Sequence, residues 1–200
     1  MMGSDDGRKV LAAFSFVRDV YANAARMLYS ADDVMQRRGC VAYGSSWKAV
    51  PDAGRRGVLD YGDWVPYYVI RQYSPTDTEG DEVVTLAAVF YDPEGSAIVE
   101  PLCIASRMAV TSLGDDLYWL SLYQMWLSDH PADGSVRVIT ADSADWQLRP
   151  EDLEIFQESV AGQTMLSVAI PLLQIKSLDD VEKVLVMPLL GAPWPPSSSS

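Results

Sequence analysis

His130 is the one histidine of the 200-residue chain, and it stands in the run Asp129-His130-Pro131-Ala132-Asp133-Gly134. An imidazole flanked by carboxylates can bind a metal or exchange a proton near neutral pH. Asp129, His130 and Asp133 are therefore the catalytic candidates for a carboxylate- or metal-assisted hydrolase. The same six residues also spell turn chemistry, since His-Pro and Asp-Gly both favour reversals, and the turn is the stronger reading. A second set consists of Tyr67, Arg71, Tyr73 and Arg107. A guanidinium beside aromatic rings can hold a small anionic ligand or stack on a ring. It can equally form a structural ion pair, for Arg107 with Glu100 or another acid, and this second reading is favoured.

Other patterns carry less. Asp77, Glu79, Asp81 and Glu82 surround Gly80 but lack the twelve-residue ligand spacing of a calcium loop. Gln174-Ile175-Lys176 has the form of a nuclease metal-site fragment without the upstream Asp such a site needs. There is no phosphate-binding loop, dinucleotide fingerprint or G-x-S-x-G elbow. Two cysteines, Cys40 and Cys103, and one histidine fall short of a four-ligand zinc site, so neither a metal nor a cofactor is expected. The cysteines read as two buried thiols in a reducing cytoplasm.

These residues need elements to position them. The aromatic and β-branched run 64–73 predicts a strand that places Tyr67, Val69, Arg71 and Tyr73 on one side. Runs 82–91 and 96–108 flank Asp92-Pro93-Glu94-Gly95 and predict a hairpin, with Arg107 at the end of its second strand. Both faces of these strands are apolar, which predicts a sheet covered on both sides. Further strands are expected at 40–43, 136–140 and 164–170, and a loop at 44–61. Short helices are expected at 149–160 and 177–186; Ser177 and Asp180 would form a capping box there and Pro188 the stop. Segment 116–128, with Trp119, Leu122, Tyr123, Trp126 and Leu127, fits a helix, although Tyr and Trp also favour strands; as a helix it could cover one face of the sheet, and a second subunit is the alternative cover.

Ahead of the sheet lies the longest pattern. Val10, Phe14, Val17, Tyr21, Ala24, Leu28, Ala31 and Met35 alternate steps of four and three, one side of an α-helix. A second row, Ala13, Phe16, Val20, Met27 and Val34, widens the stripe beyond a coiled-coil seam and predicts burial against the sheet. Ser30 and Asp33 suggest a second helix start and hence a break near Ser30. Arg37, Arg38 and Gly39 supply the stop.

The expected fold is thus α+β: a long N-terminal helix packed on a mainly antiparallel sheet, with additional short helices in the C-terminal half. Residues 1–7 read as a flexible lead, 8–190 as one domain and 191–200 as a low-complexity tail. The formal charge is −13. Residues 1–40 hold six Lys/Arg against five Asp/Glu, 41–140 hold six against fourteen, and 141–200 hold three against nine. That balance excludes a phosphate-backbone binder, so no nucleic acid is expected, and no run of about 18 apolar residues predicts a membrane span. The remaining expectation is a non-catalytic protein-interaction or accessory domain, of which acidic inhibitors and immunity-type proteins are examples, binding another protein or itself. A hydrolase and a small anionic ligand binder are the alternatives.

Overall fold

The computed structural model describes residues 4–42, 48–50, 67–76, 82–90, 100–111, 132–141 and 150–193. It is α+β, as the patterning predicts. The first element is a single helix, α1, Ser4–Arg37. β1 (Cys40–Ala42), β2 (Lys48–Val50), β3 (Tyr68–Pro75), β4 (Glu82–Val89), β5 (Leu102–Val110) and β6 (Arg137–Thr140) follow. Helix α2 (Pro150–Ser159) leads into β7 (Val160–Pro171). After a tight turn at Leu172–Gln174 the last helical stretch, α3, is built of three consecutive pieces: Leu178–Asp180, a wider π-helical segment at Val181–Val186, and Met187–Gly191.

The strands form one antiparallel sheet in the order β1-β3-β4-β5-β7-β6, and β2 also pairs with β3. The hairpin partners β4 and β5 run side by side from Glu82↔Ala109 to Val89↔Leu102. Their turn, 92–95, and the segment 116–128 lie outside the described residues. Every residue of β4 is buried, as expected for a sheet covered on both faces. On the first face, Tyr73, Val84, Leu86, Ala88, Ala105 and Val168 join one apolar cluster with Leu28, Ala31 and Met35 of α1 and with Val181, Leu185 and Leu189 of α3. On the second face the apolar residues fall into two clusters. One holds Ile70, Ala87, Val89 and Ile104; the other holds Val83, Met108, Ile139 and Met165 under Phe156 of α2.

Several details depart from the patterning. Helix α1 runs unbroken through Ser30. Ser30 and Asp33 are exposed while Ala31 and Val34 beside them are fully buried, so packing of the neighbours holds the helix straight past a weak start signal. It begins at Ser4 rather than Arg8, with Asp5 and Asp6 at its positive end and Asp5 paired to Arg8 and Lys9. It stops where the pattern predicts, at Gly39 in the left-handed region (φ 76°). Strand β2 lies inside the stretch read as a loop. Three residues are too few to show a period, and pairing with β3 fixes them. Pro188 does not end α3. The preceding π turn, closed by the Met187 N–H donating to the Glu182 carbonyl, loosens the ladder where a proline ring would otherwise meet the turn before it.

The largest departure concerns the apolar stripe of α1. Only its second half covers the sheet. Ala24, Leu28, Ala31, Val34 and Met35 are buried, and the first ring contact with the body is Tyr21 on Phe90, with centroids 4.0 Å apart. Residues 5–19 are exposed throughout. Of the 34 residues, which span about 51 Å at ~1.5 Å each, the part from Val20 onward, about 27 Å, packs on β1, β3, β4 and α3. The remaining four turns project as an arm.

Candidate functional site

The sheet and α1 together bring two of the anion-binding candidates to one place. Arg71 and Tyr73 sit two residues apart on the first face of β3, beneath α1. There Arg71 donates from Nε to Asp32 Oδ1 at 3.2 Å and from Nη2 to Asp32 Oδ2 at 3.1 Å. The Tyr73 hydroxyl donates to Asp32 Oδ1 at 2.8 Å. Burial, and then the bond to Asp32, raise the Tyr73 hydroxyl well above its ordinary value, so it stays a neutral donor. The anion held by this pair is thus the chain's own carboxylate, and the cluster ties α1 to β3. Asp32 is the residue that sequence reasoning missed. Its signal was present: it sits four residues after Leu28 and three before Met35, a lone acid on an apolar stripe.

Arg107 stands apart from that cluster. Its partner is Glu82, the last of the acidic run 77–82, which opens β4. Nε donates to Oε1, and Nη2 to Oε2 at 3.2 Å. A further guanidinium N–H reaches the Leu190 carbonyl at 3.4 Å, so the pair also latches the end of α3. Tyr67 precedes β3 and packs with the second-face cluster of Tyr68 and Ile70, away from Arg71. The four residues therefore serve three locations.

Of the hydrolase candidates, Asp129 and His130 lie outside the described residues. Asp133 is exposed and accepts from the Ser135 backbone N–H (2.9 Å) and hydroxyl (2.6 Å), the turn its sequence predicts. The Ser135 hydroxyl bond, then its N–H, hold the Asp133 carboxyl below the usual range. Among the described residues no group of three His, Cys, Asp or Glu side chains could hold a metal ion. Cys40 and Cys103 are buried thiols that are not joined in a disulfide, and burial pushes Cys103 up to about 12, which keeps it protonated and unreactive.

A polar row crosses the second face at one register level. Gln72 is paired with Thr85, Thr85 with Ser106, Ser106 with Ser167 and Ser167 with Arg137. This row separates the two apolar clusters of that face. The Ser167 hydroxyl donates to the Ala105 carbonyl at 3.2 Å, whereas the buried hydroxyls of Thr85 and Ser106 have no hydrogen-bond partner among the described residues. An unpaired buried hydroxyl costs about 1–3 kcal/mol. Each member is the polar residue at alternate positions of an apolar strand, but their alignment depends on register, which composition does not reveal.

The arm of α1 is the most unusual surface. Leu11 and Phe14 are each 71% exposed, Phe16 is 64%, and Val10 and Val17 are about 40%. Single exposed apolar residues are ordinary, but Val10, Leu11, Phe14 and Val17 share one side of the helix within about two turns and form a patch of the kind that marks a docking surface. Its charges cancel locally: Asp5 pairs with Arg8 and Lys9, and Arg18 lies 3.4 Å from Asp19. Phe16 stands in line with Val20 and Met27, which border a shallow groove between α1 and the turn after β7. The groove's wider part, about 500 Å³, lies between Asn23, Met27 and Ser30 on one side and Ile175 to Leu178 on the other.

Among the described residues no helix is long and apolar enough to cross a membrane. In comparisons with known proteins, the chain matches no family model, no curated protein and no solved structure.

Proposed function

We propose that this protein is a non-catalytic interaction or accessory domain that docks to another polypeptide through the projecting half of α1. The exposed row Val10, Leu11, Phe14 and Val17 carries the reading, because the spacing of Val10, Phe14 and Val17 is that of Ala24, Leu28 and Ala31, which α1 buries fourteen residues later. A helix with an apolar stripe and no cover is the form in which helices are laid into partner grooves. Two further observations agree. Arg71 and Arg107, the strongest ligand-binding cations in the sequence, are held by Asp32 and Glu82. The buried ion pairs thus serve to fix the body behind the arm.

The test places a photo-crosslinking phenylalanine analogue at position 14 of the full chain, in purified protein and in its cell of origin. Crosslinks to another polypeptide chain are expected, and they should vanish when Leu11→Asp is added. Crosslinks confined to the protein's own chain, or a yield unaffected by Leu11→Asp, would reject the docking surface.

A further inference from the structure

We infer that the occupant of the arm is the same arm of a second copy, lying antiparallel to it. This rests on the docking reading above and names the partner. The first argument is spacing. Val10, Phe14 and Val17 stand four and three residues apart, so a two-fold axis beside Phe14 sets Phe14 against Phe14 and Val10 against Val17. A surface that is its own complement under a two-fold axis is what a symmetric dimer requires.

The second argument is area. The four apolar side chains on the Phe14 side, Val10, Leu11, Phe14 and Val17, offer on the order of 400 Å² per copy, or about 800 Å² for the pair, the size of a weak, reversible interface. The third is charge. Asp5, Asp6 and Asp19 balance Arg8, Lys9 and Arg18, so residues 5–19 are neutral and the whole −13 resides elsewhere in the chain. A basic partner would be drawn to the acidic body instead of the arm. An anionic membrane surface would repel the body, and the arm lacks the Lys/Arg-rich polar face by which surface helices bind lipid. A second copy fits a neutral apolar stripe, provided the two bodies stay apart. Antiparallel arms accomplish this. With the axis beside Phe14, the points where the two bodies begin, at Val20, stand about 18 Å apart along the helices, beyond the ~8 Å screening length at physiological salt. Parallel arms would set two acidic bodies side by side.

Sedimentation velocity on the full chain between about 1 and 100 µM tests the inference. A dimer is expected, and Phe14→Asp should raise its dissociation constant by about 100-fold or more, because it brings two carboxylates together in an apolar contact. Position 14 is largely exposed in the single chain, so the variant's melting temperature at high dilution should match the parent's. Raising NaCl from about 50 to 500 mM should change dimer affinity by less than about threefold. A tenfold or greater tightening with salt would mean adjacent bodies and would overturn the antiparallel arrangement. A dimer that survives Phe14→Asp, or a monomer at all concentrations, would overturn the self-pairing. If that monomer still crosslinks from position 14 to a different polypeptide, the docking function stands and only its partner changes. If Phe14→Asp instead lowers the dilute melting temperature, a segment of the same chain covers the arm and both readings fall.

Discussion

The two halves of α1 carry nearly the same pattern and meet opposite fates. Tyr21, Ala24, Leu28, Ala31 and Met35 continue the four-three spacing of Val10, Phe14 and Val17, yet Leu28 and Met35 are buried and Phe14 is exposed. The periodicity of a helix therefore specifies which side is apolar and leaves open what that side meets. What distinguishes the halves is their long-range tethers. The second half carries Asp32, held by Arg71 and Tyr73, and is followed by Arg37 and Arg38, both paired to Glu182 of α3. The pairs of the first half, Asp5 with Arg8 and Lys9 and Arg18 with Asp19, join residues of that half to one another.

Truncating one large side chain in each half is the most severe way to break that contrast. Leu28→Ala should destabilise the monomer by about 2–5 kcal/mol through lost burial and the cavity left behind, read as a shift of the urea midpoint. Phe14→Ala, measured at a concentration below dimerisation, should stay within about 0.5 kcal/mol of the parent. Equal losses would mean that the arm is packed against the body.

A smaller effect is expected at the tether itself. Asp32→Ala leaves the Arg71 guanidinium, only 12% exposed, without its carboxylate. Breaking a fully buried pair costs about 3–5 kcal/mol. Asp32 is a third exposed, which lets water reach Arg71 and discounts the loss to roughly 2 kcal/mol. Asp33→Ala, one residue on and exposed, is the control and should change stability by less than about 0.5 kcal/mol.

The second face of the sheet offers a test in the other direction. Thr85→Val keeps the shape of the side chain and removes a hydroxyl that has no partner among the described residues, so it should raise stability by about 1 kcal/mol in the same urea experiment. A loss of similar size would show that the hydroxyl is bonded in solution and that the polar row is a working part of the molecule.

These contrasts also show what the sequence made legible. The strands β3, β4 and β5, the α2 helix and the Ser177–Asp180 capping box follow from local chemistry, and local chemistry is what a sequence displays. The Asp32 tether, the Arg107–Glu82 pair and the polar row depend on which strand lies beside which and in what register. The burial limit of α1 depends on which strands and helices come to lie beneath it. None of these is a property of a short window. Ser30 illustrates the converse: a local start signal was present, and the burial of Ala31 and Val34 overrode it.

The smallest expected effect separates the helix's two arginine pairs by pH. Glu182 receives a 2.6 Å bond from Arg38 and a 3.1 Å bond from Arg37, and those bonds, Arg38's first, hold its carboxyl below the ordinary range. A carboxyl whose folded value is depressed binds its proton more readily in the unfolded chain. The stability it contributes is therefore fully present above the ordinary glutamate value of about 4.3 and is lost as pH falls through the lowered one. Arg38→Ala should lower the melting temperature by a constant amount at pH 6 and 7, and the gap to the parent should close on acidification below about pH 4. Arg18→Ala removes the counterpart in the arm, where both partners are mostly exposed and adjacent in sequence, and such pairs contribute little. Its melting curve should overlay the parent's at every pH. One arginine lies in α1 and the other directly after its last residue, so a pH-dependent gap at Arg38 alone would show that α1 is bound to the body by its second half and only carried by it in the first. Matching gaps at both positions would mean that the arm too is anchored.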